Sequence, residues 1–189
     1  DYGYDDAAAN GLGVLTRVTG ADATQSMGYD RYGRVRTETL AIDGRVYTQT
    51  SEYAPDGART RLIYPDNAIL DTAYDAVGNP TTLTFRDRAD ATPRTVADYR
   101  SYTAQNQVSD VVYGNGVRTR FDFYSYQEAM GRPRGLTASA GSGARYDASY
   151  DWSRMGQLVG TTVQRGARKP EQYRFRYDGM GWLAQANGP

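Results

Sequence analysis

Cysteine and histidine are both absent from this chain of 189 residues. The absence of cysteine excludes a disulfide framework. Together the two absences exclude zinc sites built on Cys or His ligands, and any Ser–His or Cys–His catalytic pair. A chain without cysteine is also suited to export without oxidative folding.

Large aliphatic residues and phenylalanine are scarce. Leu, Ile, Val and Phe together account for 28 of the 189 residues, a share that is typical of disordered chains. Disorder also calls for high net charge and few aromatic residues, whereas this chain has zero net charge and 17 tyrosines. Because tyrosine buries a large ring and keeps a polar tip, we expect a tyrosine-rich sheet with a thin core.

Lysine is nearly absent too, since Lys169 is the one lysine among 22 basic residues, which 22 acidic residues balance. Zero net charge gives no bulk attraction to nucleic acid or anionic membranes, and no apolar run is long enough to span a membrane. We therefore predict no nucleic-acid partner and no membrane span. Arginines such as Arg59 and Arg61, or Arg118 and Arg120, are expected to pair with acids on neighbouring strands or to stack on tyrosines.

What the sequence does contain is a repeated unit. Residues 29–35 read Tyr-Asp-Arg-Tyr-Gly-Arg-Val, and related units begin at Tyr74, Tyr150 and Tyr177. Degenerate copies complete a set of eight anchors spaced 21 to 28 residues apart, which is within the range of repeat proteins. The predicted anchors are Tyr4, Tyr29, Tyr53, Tyr74, Tyr102, Tyr124, Tyr150 and Tyr177.

Each unit predicts a β-hairpin. A turn Asp accepts hydrogen bonds from backbone N–H groups two and three residues on, and a Gly three residues after it adopts a left-handed conformation without a steric clash. Between Asp151 and Gly156 the spacing is two residues longer, so a looser loop is expected there. The predicted structural motif comprises Tyr29, Asp30 and Gly33; Tyr74, Asp75 and Gly78; Tyr150, Asp151 and Gly156; and Tyr177, Asp178 and Gly181.

The stretches between the units predict further strands, turns and a few loops. Residues 65–67 and 114–116 carry turn signals, residues 87–93 and 166–170 read as loops, and residues 128–130 are the candidates for one helical turn. No segment has sustained helical periodicity. Because open twisted sheets rarely exceed about ten strands without curling, we predict an all-β fold in which repeated antiparallel hairpins form one continuous curled sheet.

The whole chain, residues 1–189, is interpreted as a single segment of about eight repeat units. It begins at Asp1 without a Met and ends directly after a repeat unit. We therefore expect a piece of a longer polypeptide.

At these residues the chain resembles the RHS family, also called YD-repeat proteins. The family unit reads Tyr-x-Tyr-Asp-x-x-Gly-Arg-Leu, and residues 28–35 and 175–183 match it well. Residues 64–67 and 113–117 resemble the family's linking turns. The resemblance covers essentially the whole chain and rests on eight units in register.

The resemblance implies a sheet that spirals into a hollow shell. In bacterial polymorphic toxins and insecticidal toxin complexes such a shell encloses a C-terminal toxic polypeptide, and in animal teneurins a related shell sits on a cell-surface receptor. The implied function is a non-enzymatic wall segment of a secreted or cell-surface bacterial protein. Its implied partners are the remainder of the parent shell and the enclosed toxin cargo. The family's self-cleavage motif, Asp-Pro-x-Gly-Leu, does not occur here, so its catalytic aspartates have no counterpart in this sequence.

Two other function classes stay open. A sheet rich in Tyr, Arg and Gly also suits a glycan- or protein-binding module at a cell surface, because tyrosine and small residues make good recognition surfaces. Paired carboxylates can form a glycosidase site, but the sequence singles out no pair among its 22 acids. No cofactor or metal motif occurs, and we predict no catalytic residue, no cofactor and no metal.

Overall fold

The computed structural model describes residues 1–141 and 143–189, and their side chains except at 143–145. Sixteen strands follow one another in sequence order in one antiparallel sheet. The chain divides into two compact units, Asp1–Thr95 (unit 1) and Val96–Pro189 (unit 2). Each unit consists of consecutive hairpins, so the predicted fold class is confirmed.

Unit 1 contains eight complete strands and a 3-10 turn at Ala7–Ala9. The alternation of strand and turn follows the turn residues that the sequence supplies every few residues. The strands are β1 (Tyr2–Tyr4), β2 (Leu15–Thr19), β3 (Ala23–Tyr29), β4 (Val35–Ile42), β5 (Arg45–Tyr53), β6 (Arg59–Ile63), β7 (Ile69–Tyr74) and β8 (Pro80–Arg86).

Unit 2 contains most of β9, seven further strands and one short helix, α1 (Tyr126–Ala129). The helix begins with a capping box, in which Ser125 and Glu128 each bind the other's backbone N–H. It begins two residues before the helical turn predicted at 128–130 and overlaps it. The strands are β9 (Arg94–Tyr102), β10 (Val108–Tyr113), β11 (Arg118–Phe123), β12 (Pro133–Ala140), β13 (Gly143–Trp152), β14 (Leu158–Arg165), β15 (Glu171–Tyr177) and β16 (Leu183–Asn187).

Strand register places an apolar row and a charged row on opposite sides of unit 1, because successive side chains point to opposite sides of a strand. Leu62 lies opposite Leu70, which lies opposite Phe85 on the next strand. One residue along, Arg61 lies opposite Asp71. The same strands therefore present an apolar row on one side and a charged row on the other.

Unit 2 repeats this division over four neighbouring strands. Its rows are continuous because β11 to β14 pair without a shift at these positions. The apolar row is Phe121, Leu136, Ala148 and Val163, and the polar row beside it is Arg120, Thr137, Asp147 and Gln164.

The buried core is thin, as the low aliphatic content predicts. In unit 2, Val111 and Ala148 are each 1% exposed, and Ala97 and Val163 are also buried. In unit 1, Leu62 is buried on the apolar face. Within the residues that the structure describes, the 3-10 turn and α1 are the only helical segments.

Candidate functional site

Eight tight turns among the described residues share one backbone geometry. The first residue donates its N–H to the carbonyl of the fifth, and the fourth donates to the carbonyl of the first. The fourth residue is left-handed, with φ between 58° and 97°. This is a type I turn followed by a left-handed residue. The turns begin at Asp30, Ala54, Tyr64, Asp75, Thr103, Tyr113, Ser153 and Asp178.

These turns fall into two groups by position. Consecutive hairpins place alternate turns at opposite ends of the strands. The two that begin at Tyr64 and Tyr113 are called return turns. The other six each follow an aromatic residue and lie at the end opposite to the return turn of their unit. They begin at Asp30, Ala54, Asp75, Thr103, Ser153 and Asp178 and are called anchor turns.

The Asp that opens an anchor turn binds the backbone inside it. Asp30 Oδ1 accepts hydrogen bonds from the N–H of Tyr32 at 2.8 Å and of Arg34 at 3.1 Å. These donors are two and four residues on. At Asp30 the expected bond from the N–H three residues on is not made, because that N–H donates to the backbone carbonyl of Asp30 instead. The same pattern joins Asp75 to Val77 and Asn79, and Asp178 to Met180 and Trp182.

These hydrogen bonds also change the acidity of the turn carboxyls. The backbone N–H of Asn79 lowers the pKa of Asp75 below its ordinary value. For Asp30, desolvation raises the pKa, but the hydrogen bonds from Arg34 and Tyr32 outweigh it and the net shift is downward. Both carboxylates are therefore ionised at neutral pH, which is the form that accepts these bonds.

The repeat unit at residues 150–157 does not have the turn that was predicted for it. Asp151 lies in β13 rather than in a turn, and its Oδ2 accepts a hydrogen bond from Arg174 at 2.8 Å. The turn begins at Ser153, whose Oγ accepts from the N–H of Gln157 at 3.2 Å. Gly156 is the left-handed fourth residue. The prediction of a looser loop is wrong, because this turn is five residues long, like the other turns.

Trp152, not Tyr150, is the anchor of that unit. Its indole Nε1 donates to the carbonyl of Pro133 at 2.7 Å, whereas the carbonyl of Tyr150 accepts from the Tyr124 hydroxyl in mid-strand. The sequence did carry the signal for this register, since Gly156 follows the turn's first residue by three positions, as in the other units. The Tyr-Asp pair at 150–151 obscured it.

Anchor side chains bind the neighbouring strand at one defined place, the carbonyl of its first residue. The Tyr53 hydroxyl donates to the carbonyl of Val35 at 2.8 Å. Val35 is the first residue of β4 and directly follows the preceding anchor turn, so this bond ties one anchor turn to the one before it. The bonds from Tyr74 to Arg59 and from Tyr177 to Leu158 connect successive anchor turns in the same way. The bonds from Tyr29 to Leu15 and from Trp152 to Pro133 also reach the first residue of the neighbouring strand.

Arg34 adds a second connection between two anchor turns of unit 1. Its Nε donates to Asp30 Oδ2 at 2.7 Å, and its terminal nitrogen donates to the carbonyl of Ala54 at 2.9 Å. The guanidinium also lies 4.6 Å from the ring centroid of Tyr53 and 5.0 Å from that of Tyr32. Such cation–π contacts are attractive, so Arg34 holds both turns together.

The polar faces carry ion pairs. Arg61 Nε lies 2.6 Å from Asp71 Oδ1, and Arg86 binds the other oxygen. Burial raises the pKa of Asp71, but the two guanidinium groups outweigh it and the pKa falls. In unit 2, the hydrogen bond from Arg118 lowers the pKa of Asp110. The expected pairing with cross-strand acids is confirmed for Arg61 and Arg118.

Unit 1 has an open aromatic cavity of about 490 Å³ beside its return turn. The rings of Tyr64 and Phe85 form part of its wall, with centroids 6.5 Å apart. Tyr47 and the carboxylate-bearing Asp66 complete one side. The cavity thus combines ring faces with one hydrogen-bond acceptor, which are groups that can bind a small polar ligand.

Neither a metal-binding cluster nor a membrane-spanning helix occurs in the described part of the chain. No group of three His, Cys, Asp or Glu side chains there could hold a metal ion. No described helix is long and apolar enough to cross a membrane.

Comparison with solved structures connects this geometry to known proteins. Crystal structures of the TcdB2–TccC3 complex, alone and with Cdc42, align with 94% of this chain at TM-score 0.79 and 18% and 19% identity. The Photorhabdus luminescens Tc holotoxin pore aligns over 94% at TM-score 0.78 and 16% identity. The chain shares its fold with a segment of these toxin proteins.

The likeness is limited to that segment. The chain covers 10% of the length of each matched toxin chain. No protein-family model and no curated protein sequence matches it. At these identities the matches establish the fold, and this fold is the one predicted from the YD-repeat pattern.

Proposed function

We propose that this chain is a structural wall segment of a shell that encloses a polypeptide cargo. The observation that carries the proposal is the run of sixteen consecutive antiparallel strands among the described residues. A sheet with one apolar and one polar face can separate an interior from solvent. The wall needs no catalytic residue, and its partners are the rest of the parent shell and the cargo.

The likeness to Tc toxin structures supports this role. It covers nearly all of this chain and a small part of each matched chain, as expected of one stretch of a longer wall. By the same reasoning we propose that the parent protein is a secreted or cell-surface bacterial toxin. The hydrogen bonds between successive anchor turns supply the continuity that a wall requires.

Protease protection tests this role in the natural polypeptide that contains residues 1–189. Val111 is 1% exposed, so Val111→Asp places a charge in the thin core of unit 2. Val77 is 74% exposed and Val77→Asp is the matched control. We expect a protease-resistant cargo in the wild type and the control, and digestion of the cargo in Val111→Asp. Equal digestion of the cargo in all three proteins would contradict the proposal.

Glycan binding at a cell surface is the second candidate function, favoured by the aromatic cavity of unit 1. Sugar rings stack on aromatic faces, and Asp66 offers an acceptor for hydroxyl groups. A glycan array with the wild type, Tyr64→Ala and the matched control Tyr113→Ala tests it. Saturable binding that only Tyr64→Ala removes would support this function. No saturable binding, or equal binding by all three proteins, would reject it.

A further inference from the structure

The open aromatic cavity of unit 1, called the unit 1 cavity, collects rings from separate parts of the sheet. Tyr47 lies in β5 and Phe85 in β8. The strand register places both on the side that carries Leu62 and Leu70, because residues an even number apart on one strand point to the same side. Tyr64, which opens the return turn, completes the aromatic wall. Three rings therefore converge on one space of about 490 Å³.

The hairpin does not require these rings. Both return turns begin with a tyrosine and close with the same backbone hydrogen bonds. The sixth residue after that tyrosine lies opposite Phe85 in unit 1 but opposite Ala138 in unit 2. The hydroxyls of Tyr47 and Tyr64 have no hydrogen-bond partner among the described residues, unlike those of the anchor tyrosines. Neither the turn nor the anchor bond explains this group of rings.

The charge of the unit 1 cavity is negative. Of its six described lining residues, Asp66 is the one with a charged side chain. Asp66 is exposed, and its Oδ1 accepts the N–H of Ala68 at 3.0 Å. The carboxylate has no ion pair among the described residues. Because the faces of aromatic rings are also negative, the cavity attracts a cation.

Arg94 shows that a ring of this wall already takes part in such an attraction. Its guanidinium carbon lies 4.7 Å from the ring centroid of Phe85. Arg94 does not line the cavity, and Asp87 Oδ1 lies 3.6 Å from its terminal nitrogen and offsets its charge. The part of the ring that faces the cavity stays available for a second cation.

A trimethylammonium group matches these walls. Aromatic rings bind quaternary ammonium groups through cation–π attraction. Such a group has no N–H to donate and needs no further acceptor, and Pro65 and Ala68 offer it apolar contact. A lysine ammonium is strongly hydrated and would give up more hydration on entering. The volume is within the range of small-molecule sites.

We propose that the unit 1 cavity binds a trimethylammonium group, held by the ring faces of Tyr47, Tyr64 and Phe85 and by the carboxylate of Asp66. Free choline or a phosphocholine headgroup supplies this group. Strands β5 to β8 have both neighbours within this chain, so the cavity does not depend on where the sheet ends. The inference is independent of the wall role, and its ligand class differs from the glycan of the second candidate function.

Saturation-transfer difference NMR tests the proposal with the natural polypeptide that contains residues 1–189. Choline chloride is the probe. The matched ligand is 3,3-dimethylbutan-1-ol, which has the same shape but a neutral carbon in place of the nitrogen. We expect saturable binding of choline, and an affinity for the neutral alcohol that is lower by about tenfold or more.

Two pairs of variants locate the binding. Asp66→Asn removes the charge but keeps the turn, since Asn115 accepts the equivalent N–H in unit 2. Its control is Asp56→Asn, at the same turn position outside the cavity. Tyr47→Leu removes one ring, and its control is Tyr113→Leu, because the two tyrosines are 40% and 39% exposed. Each cavity variant should weaken choline binding by about fivefold or more, and each control should leave it unchanged. Circular dichroism verifies folding.

Vesicle flotation distinguishes the two sources of the group. Flotation with phosphatidylcholine but not phosphatidylglycerol vesicles, reversed by free choline, supports the headgroup. Choline binding without flotation supports the free solute. The proposal is overturned if choline does not bind saturably, if the neutral alcohol binds equally well, or if cavity and control variants bind choline alike. Saturable binding of glucose without binding of choline would also overturn it, in favour of the glycan candidate.

Discussion

The anchor turns and the return turns have the same backbone but different side-chain support. Both groups close with the same two backbone hydrogen bonds and a left-handed fourth residue. Five anchor turns additionally follow an aromatic residue that donates to the first carbonyl of the neighbouring strand. The comparison separates two functions of the repeat: the backbone forms each hairpin, and the anchor joins one hairpin to the next.

The first position of the anchor turn tolerates more variation than the fourth. Asp30, Ser153 and Thr103 each supply a side-chain acceptor there, and the turn at Ala54 uses Asp56 instead. All eight turns, by contrast, have a left-handed Gly or Asn as the fourth residue. Backbone conformation is therefore the stricter requirement, because only these residues adopt it at low cost.

Loss of Arg34 is expected to have the largest effect, since this side chain connects two anchor turns. Arg34→Gln removes the bond to the Ala54 carbonyl and the contact with the Tyr53 ring, and should lower the free energy of unfolding by about 2 kcal/mol. Urea denaturation measures it. The control Arg88→Gln breaks an exposed pair with Asp90 and should cost less than about 0.5 kcal/mol. Equal effects of the two changes would contradict the role of Arg34.

Replacement of the left-handed glycine tests what the two groups of turns share. Gly78→Ala in an anchor turn and Gly116→Ala in a return turn should each cost about 1–2 kcal/mol, because both glycines have positive φ. Asn67 and Asn106 hold the same position elsewhere, so Gly78→Asn should cost clearly less than Gly78→Ala. Thermal denaturation of the four proteins measures this order. If Gly116→Ala did not lower the thermal stability, the return turns would not require a glycine at the fourth position.

Removal of one anchor hydroxyl should have a smaller effect. Tyr53→Phe keeps the ring but loses the bond to the Val35 carbonyl, which should cost about 1 kcal/mol. Tyr113→Phe is the return-turn control, because Tyr113 is 39% exposed and its hydroxyl has no hydrogen-bond partner among the described residues. Denaturation curves for the two variants separate the groups. Equal losses would remove the distinction between anchor and return turns.

Low pH should destabilise the anchor turns that begin with Asp and should leave the turn that begins at Ser153 unchanged. The pKa values of Asp30 and Asp75 are lowered on folding. Their contribution to stability is therefore complete above the unfolded pKa, about 3.9, and is lost as the pH falls through the lower folded value. The hydroxyl acceptor of Ser153 does not titrate in this range.

Amide hydrogen exchange by NMR, corrected for intrinsic rates, measures this acid effect. Protection of the Val77 and Asn79 amides should fall below about pH 4 relative to pH 6. Protection of the Gln157 amide should change little over the same range. Equal losses at all three amides would mean that acid acts through global unfolding and not through the turn carboxylates.

The hairpins could be predicted from the sequence because their signals are local. The spacing from Asp30 to Gly33 gives the turn, and its repetition gives the fold. The turn within residues 150–157 was predicted at the wrong residue, because the prediction followed the Tyr-Asp pair at 150–151 and not the position of Gly156. The bonds from anchor hydroxyls to carbonyls could not be predicted, since they depend on the register between strands.

Electron cryomicroscopy of the natural polypeptide that contains residues 1–189 tests the central claim most directly. The claim is that these strands are part of a wall. The account predicts a map in which the sheet continues beyond this chain and its hairpins bound an internal space that holds polypeptide density. A map in which these residues form an isolated domain, with a separate layer packed on the apolar faces and no enclosed space, would contradict it.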